Sequence, residues 1–143
     1  MAFTVRASRT IRAPIDLVWE IMSDTDNEPS LWPGMKSVTN IRRGQSIIER
    51  EVEIILGYRC TETIKLYPEL YSLQYKIYKG PIVGEKSIVA KKQSGGSVTK
   101  VEVIWTIDFR GLFRIFWPLA KICLARSSWR ALGNLEKVIL GHV

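Results

Sequence analysis

Arg50 and Glu62 are the residues whose types and setting suit chemistry inside an apolar site. Each stands in a run that alternates apolar and polar residues, with Val52, Ile54 and Leu56 beside the first and Ile64 and Leu66 beside the second. Glu49, Glu51 and Glu53 occupy the opposite phase. Period-two alternation therefore turns Arg50 and Glu62 inward, where a charge is costly unless paired or solvated. Two roles fit: a polar spot that orients a ligand head group or holds a carbonyl, or a structural ion pair across a hairpin. A bulge returning one of them to solvent is the third arrangement, because a one-residue slip exchanges the faces. Tyr71 and Tyr75 share an inner phase with Leu73 and Ile77, and Trp105 shares one with Val101, Val103 and Ile107. These rings either line a cavity or fill a core. Lys121 and Ser128 pose the same alternative on the helical line that leads to Leu124, Leu132 and Leu135.

Much familiar apparatus is absent. The single histidine, His142, is the penultimate residue, which removes histidine-based triads and proton shuttles and argues against zinc. There is no GxGxxG after a strand, no GxxxxGK[ST] and no GxSxG, and the chain implies neither a cofactor nor a metal. Cys60 and Cys123 stand far apart among apolar neighbours, as free thiols in a reducing compartment would. The start, Met1-Ala2-Phe3-Thr4-Val5-Arg6, alternates and does not read as a signal peptide, and no apolar run is long enough to span a bilayer, so the expectation is a cytoplasmic domain.

The elements that must position these side chains follow from the same periodicity. A strand over residues 3–12 stops at Ala13-Pro14, and a short helix runs from Ile15 to Met22 into the polar turn Ser23 to Asn27. A second helical turn spans Glu28 to Trp32. Strands are then expected at 35–44, 46–56, 58–67, 70–79, 83–93 and 97–108, with Ser94-Gly95-Gly96-Ser97 as a hairpin loop. From Gly111 to Leu140 the period lengthens to that of one long helix, with Pro118 near its start. With 143 residues, 46% of them hydrophobic, residues 1–143 form a single domain with its own core.

The opening Arg9-Thr10-Ile11-Arg12-Ala13-Pro14-Ile15-Asp16-Leu17-Val18-Trp19 resembles the "strand, Ala-Pro, acidic residue, Val-Trp/Tyr" start of the START/polyketide-cyclase (SRPBCC) superfamily. Asn27-Glu28-Pro29-Ser30-Leu31-Trp32-Pro33-Gly34-Met35 resembles the passage that follows it, two short helices and then Trp-x-Pro or Leu-Pro. Gly80-Pro81-Ile82 and Thr99-Lys100-Val101-Glu102-Val103 look like the branch that includes coenzyme-Q-binding and polyketide cyclase/dehydrase-like proteins. The resemblance covers nearly the whole chain. It implies an α+β helix-grip fold, a curved antiparallel sheet of about seven strands around the long helix, with a hydrophobic cavity that takes lipids, isoprenoids, steroids or polyketides. On that frame Trp32 lies at the cavity mouth, and the ligand-binding candidates are Trp32, Arg50, Glu62, Tyr71, Tyr75, Trp105, Phe116 and Lys121.

Residues 111–122, Gly111 to Ile122, carry Phe113, Phe116 and Trp117 with Arg114 and Lys121 as their charges. Such a segment is either a peripheral contact with an anionic membrane, a lid over the pocket, or a helix start buried under the sheet. The net charge of +7 favours anionic partners in general. Arg42-Arg43, Lys91-Lys92 and the Arg6, Arg9, Arg12 stripe are dispersed and lack a nucleic-acid motif, so a solvated basic surface explains them better than DNA or RNA. The residues thus imply a binding or carrier domain for a hydrophobic small molecule. A polyketide cyclase/aromatase in which Arg50, Glu62 or Tyr75 assists proton transfer is the alternative.

Overall fold

The computed structural model describes residues 2–93 and 95–142. Seven antiparallel strands form one curved sheet, β1 (Phe3–Ile11), β2 (Met35–Arg43), β3 (Ile47–Ile54), β4 (Arg59–Tyr67), β5 (Ser72–Lys79), β6 (Ile82–Lys92) and β7 (Thr99–Phe109). Their spatial order is β1-β7-β6-β5-β4-β3-β2, a meander closed by the return of β1 to the side of β7. Helix α1 (Ile15–Met22) and a 3-10 helix (Thr25–Ser30) lie between β1 and β2. The one-turn α2 (Leu112–Ile115) precedes the long α3 (Trp117–Leu140). This is the α+β helix-grip arrangement that the periodicity and the resemblance predict.

Local chemistry explains the joints. Pro14 is extended at the N-terminal boundary of α1, where its missing N–H removes nothing, and the preceding Ala13 carbonyl accepts a 2.8 Å hydrogen bond from Thr99 Oγ1. α1 then buries Ile15, Val18 and Met22 on one face. Pro118 stands in the first turn of α3, as a helix start allows. The buried residues of α3 are Ser128, Ala131, Leu132, Leu135 and Ile139, all in its C-terminal half. That half closes the core over β1, while the N-terminal half is only partly buried, with Ala120, Leu124 and Ala125 against the core and Trp117 stacked on Phe3 at 4.9 Å.

The expected boundaries shift at two places. The second short helix begins at Thr25 and not at Glu28. β3 ends at Ile54, because Leu56 and Gly57 both adopt left-handed backbone (φ 62° and 77°) in a tight 3-10 turn. Leu56 therefore leaves the strand phase assigned to it. Of the Ser94 to Ser97 loop, Ser94 lies outside the described residues; Gly95 and Gly96 have φ of 87° and 73° there. Gly84 in β6 has φ 134°, and a Cβ on it would lie 2.4 Å from the Thr106 carbonyl oxygen. Only glycine lets β6 and β7 approach so closely at this point.

Candidate functional site

Two neighbouring rungs of the sheet hold its unusual side chains. Alternation in five strands turns Arg50, Glu62, Tyr75, Lys86 and Trp105 to the covered face, where they are buried among Ile48, Ile64, Ile88 and Val103. One rung pairs Arg50 with Glu62 and continues through Ile77 and Gly84. The next runs Ile48, Ile64, Tyr75, Lys86, Trp105 and Val5. The antiparallel register thus places Lys86 directly between two aromatic rings.

Arg50 is the centre of the first rung. Its Nε donates to Glu62 Oε2 at 2.9 Å, Nη1 donates to the Thr25 carbonyl at 2.8 Å, and Nη2 meets both Glu28 and Glu62. Glu28 comes from the 3-10 helix, and its second oxygen accepts a hydrogen bond from the Tyr75 hydroxyl. Burial alone would lower the Arg50 pKa, but the charges of Glu28 and Glu62 reverse this and hold the guanidinium protonated. Burial raises the Glu62 pKa against the opposing pull of Arg50 and Lys86. Burial, then the Glu28 charge, pushes the Tyr75 phenol well above its ordinary value. The guanidinium closes a saturated network, so it fixes the 3-10 helix to β3, β4 and β5.

Lys86 is different. Its Nζ lies 4.0 Å from the centroid of Trp32, 4.3 Å from Tyr75 and 4.6 Å from Trp105. The residue is 3% exposed, and among the described residues no acceptor hydrogen-bonds its ammonium and no carboxylate lies within ion-pair distance. Burial lowers its pKa, and the more distant charges of Glu28 and Glu62 oppose that shift.

In front of Lys86 opens a cavity of about 550 Å³ between the sheet and the N-terminal half of α3. Ile54, Ile82 and Trp105 form its sheet wall, Ala120, Cys123 and Leu124 its helix wall, and Trp32 to Met35 one end. Trp32 and Trp105 meet edge to face at 5.8 Å. Trp105 is held in place by donating from Nε1 to Ser128 Oγ at 3.0 Å, which in turn donates to the Leu124 carbonyl. Asn134 of α3 donates to the Leu31 carbonyl at 2.8 Å and fixes the chain next to Trp32. At the rim, Leu56 (77% exposed), Phe116 and Leu119 face outward, with Arg126 and Arg130 close by. A largely apolar wall with Lys86 at its inner end and Arg126 and Arg130 at its rim can hold an apolar molecule and orient a polar atom of it.

The structure brings Trp32, Trp105 and Phe116 to the cavity walls. Arg50, Glu62 and Tyr75 lie behind that wall in the ionic network. Tyr71 sits elsewhere: with φ 49° it leaves the strand phase, packs edge-on against Trp19 and donates to Asp16 Oδ1 at 2.9 Å. Lys121 lies on another flank of α3, its Nζ 5.8 Å from the Phe3 ring. Ser128 is buried as the support of Trp105. Residues 112–119 are not buried under the sheet, since Ile115 is 71% and Leu119 62% exposed. Sequence reasoning missed Glu28 and Lys86. Lys86 carried a signal, its shared phase with Ile88 and Ala90, whereas Glu28 in a polar turn carried none.

Comparison with known proteins places this geometry. The fold superposes on a Thermus thermophilus protein with a TM-score of 0.85 at 19% identity, covering 98% of this chain and 99% of that one. It superposes on the Zhui aromatase/cyclase of a Streptomyces species with a TM-score of 0.75 at 20% identity, over 99% and 93% of the chains. A START superfamily protein of Mycobacterium smegmatis gives 0.75 at 17% identity, over 98% and 99%. At these identities the likeness is one of fold. No curated protein matches the sequence. The family model described as polyketide cyclase / dehydrase and lipid transport matches residues 2–139. A sheet gripping a long helix across an apolar cavity, together with a match along nearly its whole length, makes this chain a member of the polyketide cyclase / dehydrase and lipid transport family.

Proposed function

We propose that this protein binds and carries a hydrophobic small molecule, a lipid, isoprenoid quinone or polyketide-like compound, between its sheet and α3. The observation that carries this reading is the cavity of about 550 Å³ with almost entirely apolar walls. Its volume lies within the roughly 300–1,000 Å³ of sites that take drug-sized ligands. A long isoprenoid chain would fill it with the head group innermost and leave by the rim at Leu56 and Phe116. The cyclase/aromatase alternative has less support, because Arg50, Glu62 and Tyr75 use their polar atoms on one another and on Glu28. Substrate folding by cavity shape remains the form such an activity would take.

Delivery is proposed to occur at an anionic lipid surface. Ile115, Phe116, Trp117 and Leu119 are exposed beside the rim. From Phe109 to Leu135 the chain has no Asp or Glu, while Arg110, Arg114, Lys121, Arg126 and Arg130 are basic. Apolar side chains ringed by cations suit the boundary between anionic head groups and acyl chains.

Native mass spectrometry of the purified protein, beside a denatured lipid extract, tests the cavity reading. A hydrophobic molecule retained at near one-to-one stoichiometry is expected. An empty protein whose melting temperature ignores quinones, fatty acids, sterols and aromatic polyketides would refute it.

A further inference from the structure

We propose that Lys86 is the recognition point of the cavity, donating a hydrogen bond to an uncharged carbonyl oxygen at the inner end of the ligand. This rests on the cavity reading above and assigns the chemistry of its innermost group. An ammonium has three N–H donors. Those of Lys86 meet the faces of Trp32, Tyr75 and Trp105, which stabilise a positive charge but accept little hydrogen bonding. The residue is at once 3% exposed and part of the cavity wall, so a ligand that expels water from the inner end must itself bring an acceptor to complete it.

Charge decides between a carbonyl and an acid. Among the described residues, the buried charged side chains are Glu28, Arg50, Glu62 and Lys86, two of each sign. Arg50 is shared by both glutamates, and Lys86 balances the excess negative charge of that network. A ligand carboxylate on Lys86 would leave the buried region with a net negative charge, next to two glutamates already within its field. A ketone, quinone or ester oxygen brings an acceptor without a charge. The inner end of the cavity therefore favours a neutral carbonyl over a carboxylate, Lys86 is the residue that discriminates there, and an acid is left only the exposed Arg126 and Arg130 at the rim.

Three probes with one ring system test this: acetylnaphthalene, the isopropenyl alkene of the same shape, and naphthoate. Affinities are measured by equilibrium dialysis, and the ketone's carbonyl stretch by isotope-edited infrared difference spectroscopy. The native protein is expected to bind the ketone about tenfold more tightly than the alkene, the gain of one net hydrogen bond, with naphthoate weakest and the carbonyl stretch moved to lower frequency. In Lys86→Met the ketone and the alkene should bind alike, at the alkene's native affinity, without the frequency shift. Equal binding of ketone and alkene by the native protein, or tightest binding by naphthoate, overturns the role of Lys86 while the bound alkene still supports the cavity. Failure of all three probes to bind removes the cavity reading and this inference together. Should Lys86→Met not fold, the native affinities and the infrared shift decide alone.

Discussion

Arg50 is completely buried, and its network depends on it more than on any other member. Removing a buried cation leaves Glu28 and Glu62 without their hydrogen-bonded partner and with only the more distant Lys86 to offset two charges, a change of about 3–5 kcal/mol. Arg50→Met should lower stability by that amount in urea denaturation, with the 3-10 helix that carries Glu28 the first segment to loosen. Lys86 acts in the opposite direction. Its folded pKa lies below the unfolded value of 10.5, so its burial opposes folding fully below the folded pKa. That opposition shrinks as pH rises through the interval and vanishes above about 10.5. The native protein should therefore gain stability relative to Lys86→Met as pH rises through that interval. Paired denaturation curves taken over rising pH check this, and a difference that does not change with pH would contradict it.

α3 is one helix with two environments. Its buried residues begin at Ser128, and the half before it covers the cavity on one side and meets Phe3 of β1 on the other. Backbone amides from Lys121 to Ser127 should exchange hydrogen faster than those from Ala131 to Ile139, and a bound ligand should slow the first group selectively. Uniform protection along α3 in the empty protein would contradict this division. The same contrast shows what periodicity reveals. Strands were legible because one face of each is buried, so the apolar phase in β4, β5 and β7 reports geometry directly. The pairing of Arg50 with Glu62 was legible for the same reason. Leu56 and Tyr71 were misplaced because both turn into left-handed backbone at strand boundaries, where the alternation stops. Glu28 was invisible, since its burial comes from Arg50, a residue distant in sequence, and not from any local pattern.

Across the whole molecule, the exposed apolar residues beside the cavity rim and the acid-free basic stretch lie on the same segment. Co-sedimentation with vesicles of phosphatidylcholine alone and of phosphatidylcholine with phosphatidylglycerol should show binding to the second only. A Trp117→Ala, Arg114→Ala double variant should lose it, and equal binding to both vesicles would contradict the charge argument. Among the described residues, no helix is long and apolar enough to cross a membrane. The two sets of cations differ in their access to solvent: Arg114 and Arg126 are exposed on the surface, whereas Lys86 stands 3% exposed among three rings at the inner end of the cavity, where a bound ligand covers it. Mobile ions screen the first set and scarcely reach the second. Raising ionic strength should thus detach the protein from a bilayer without emptying it, so that salt sets where the cargo travels but not whether it is held.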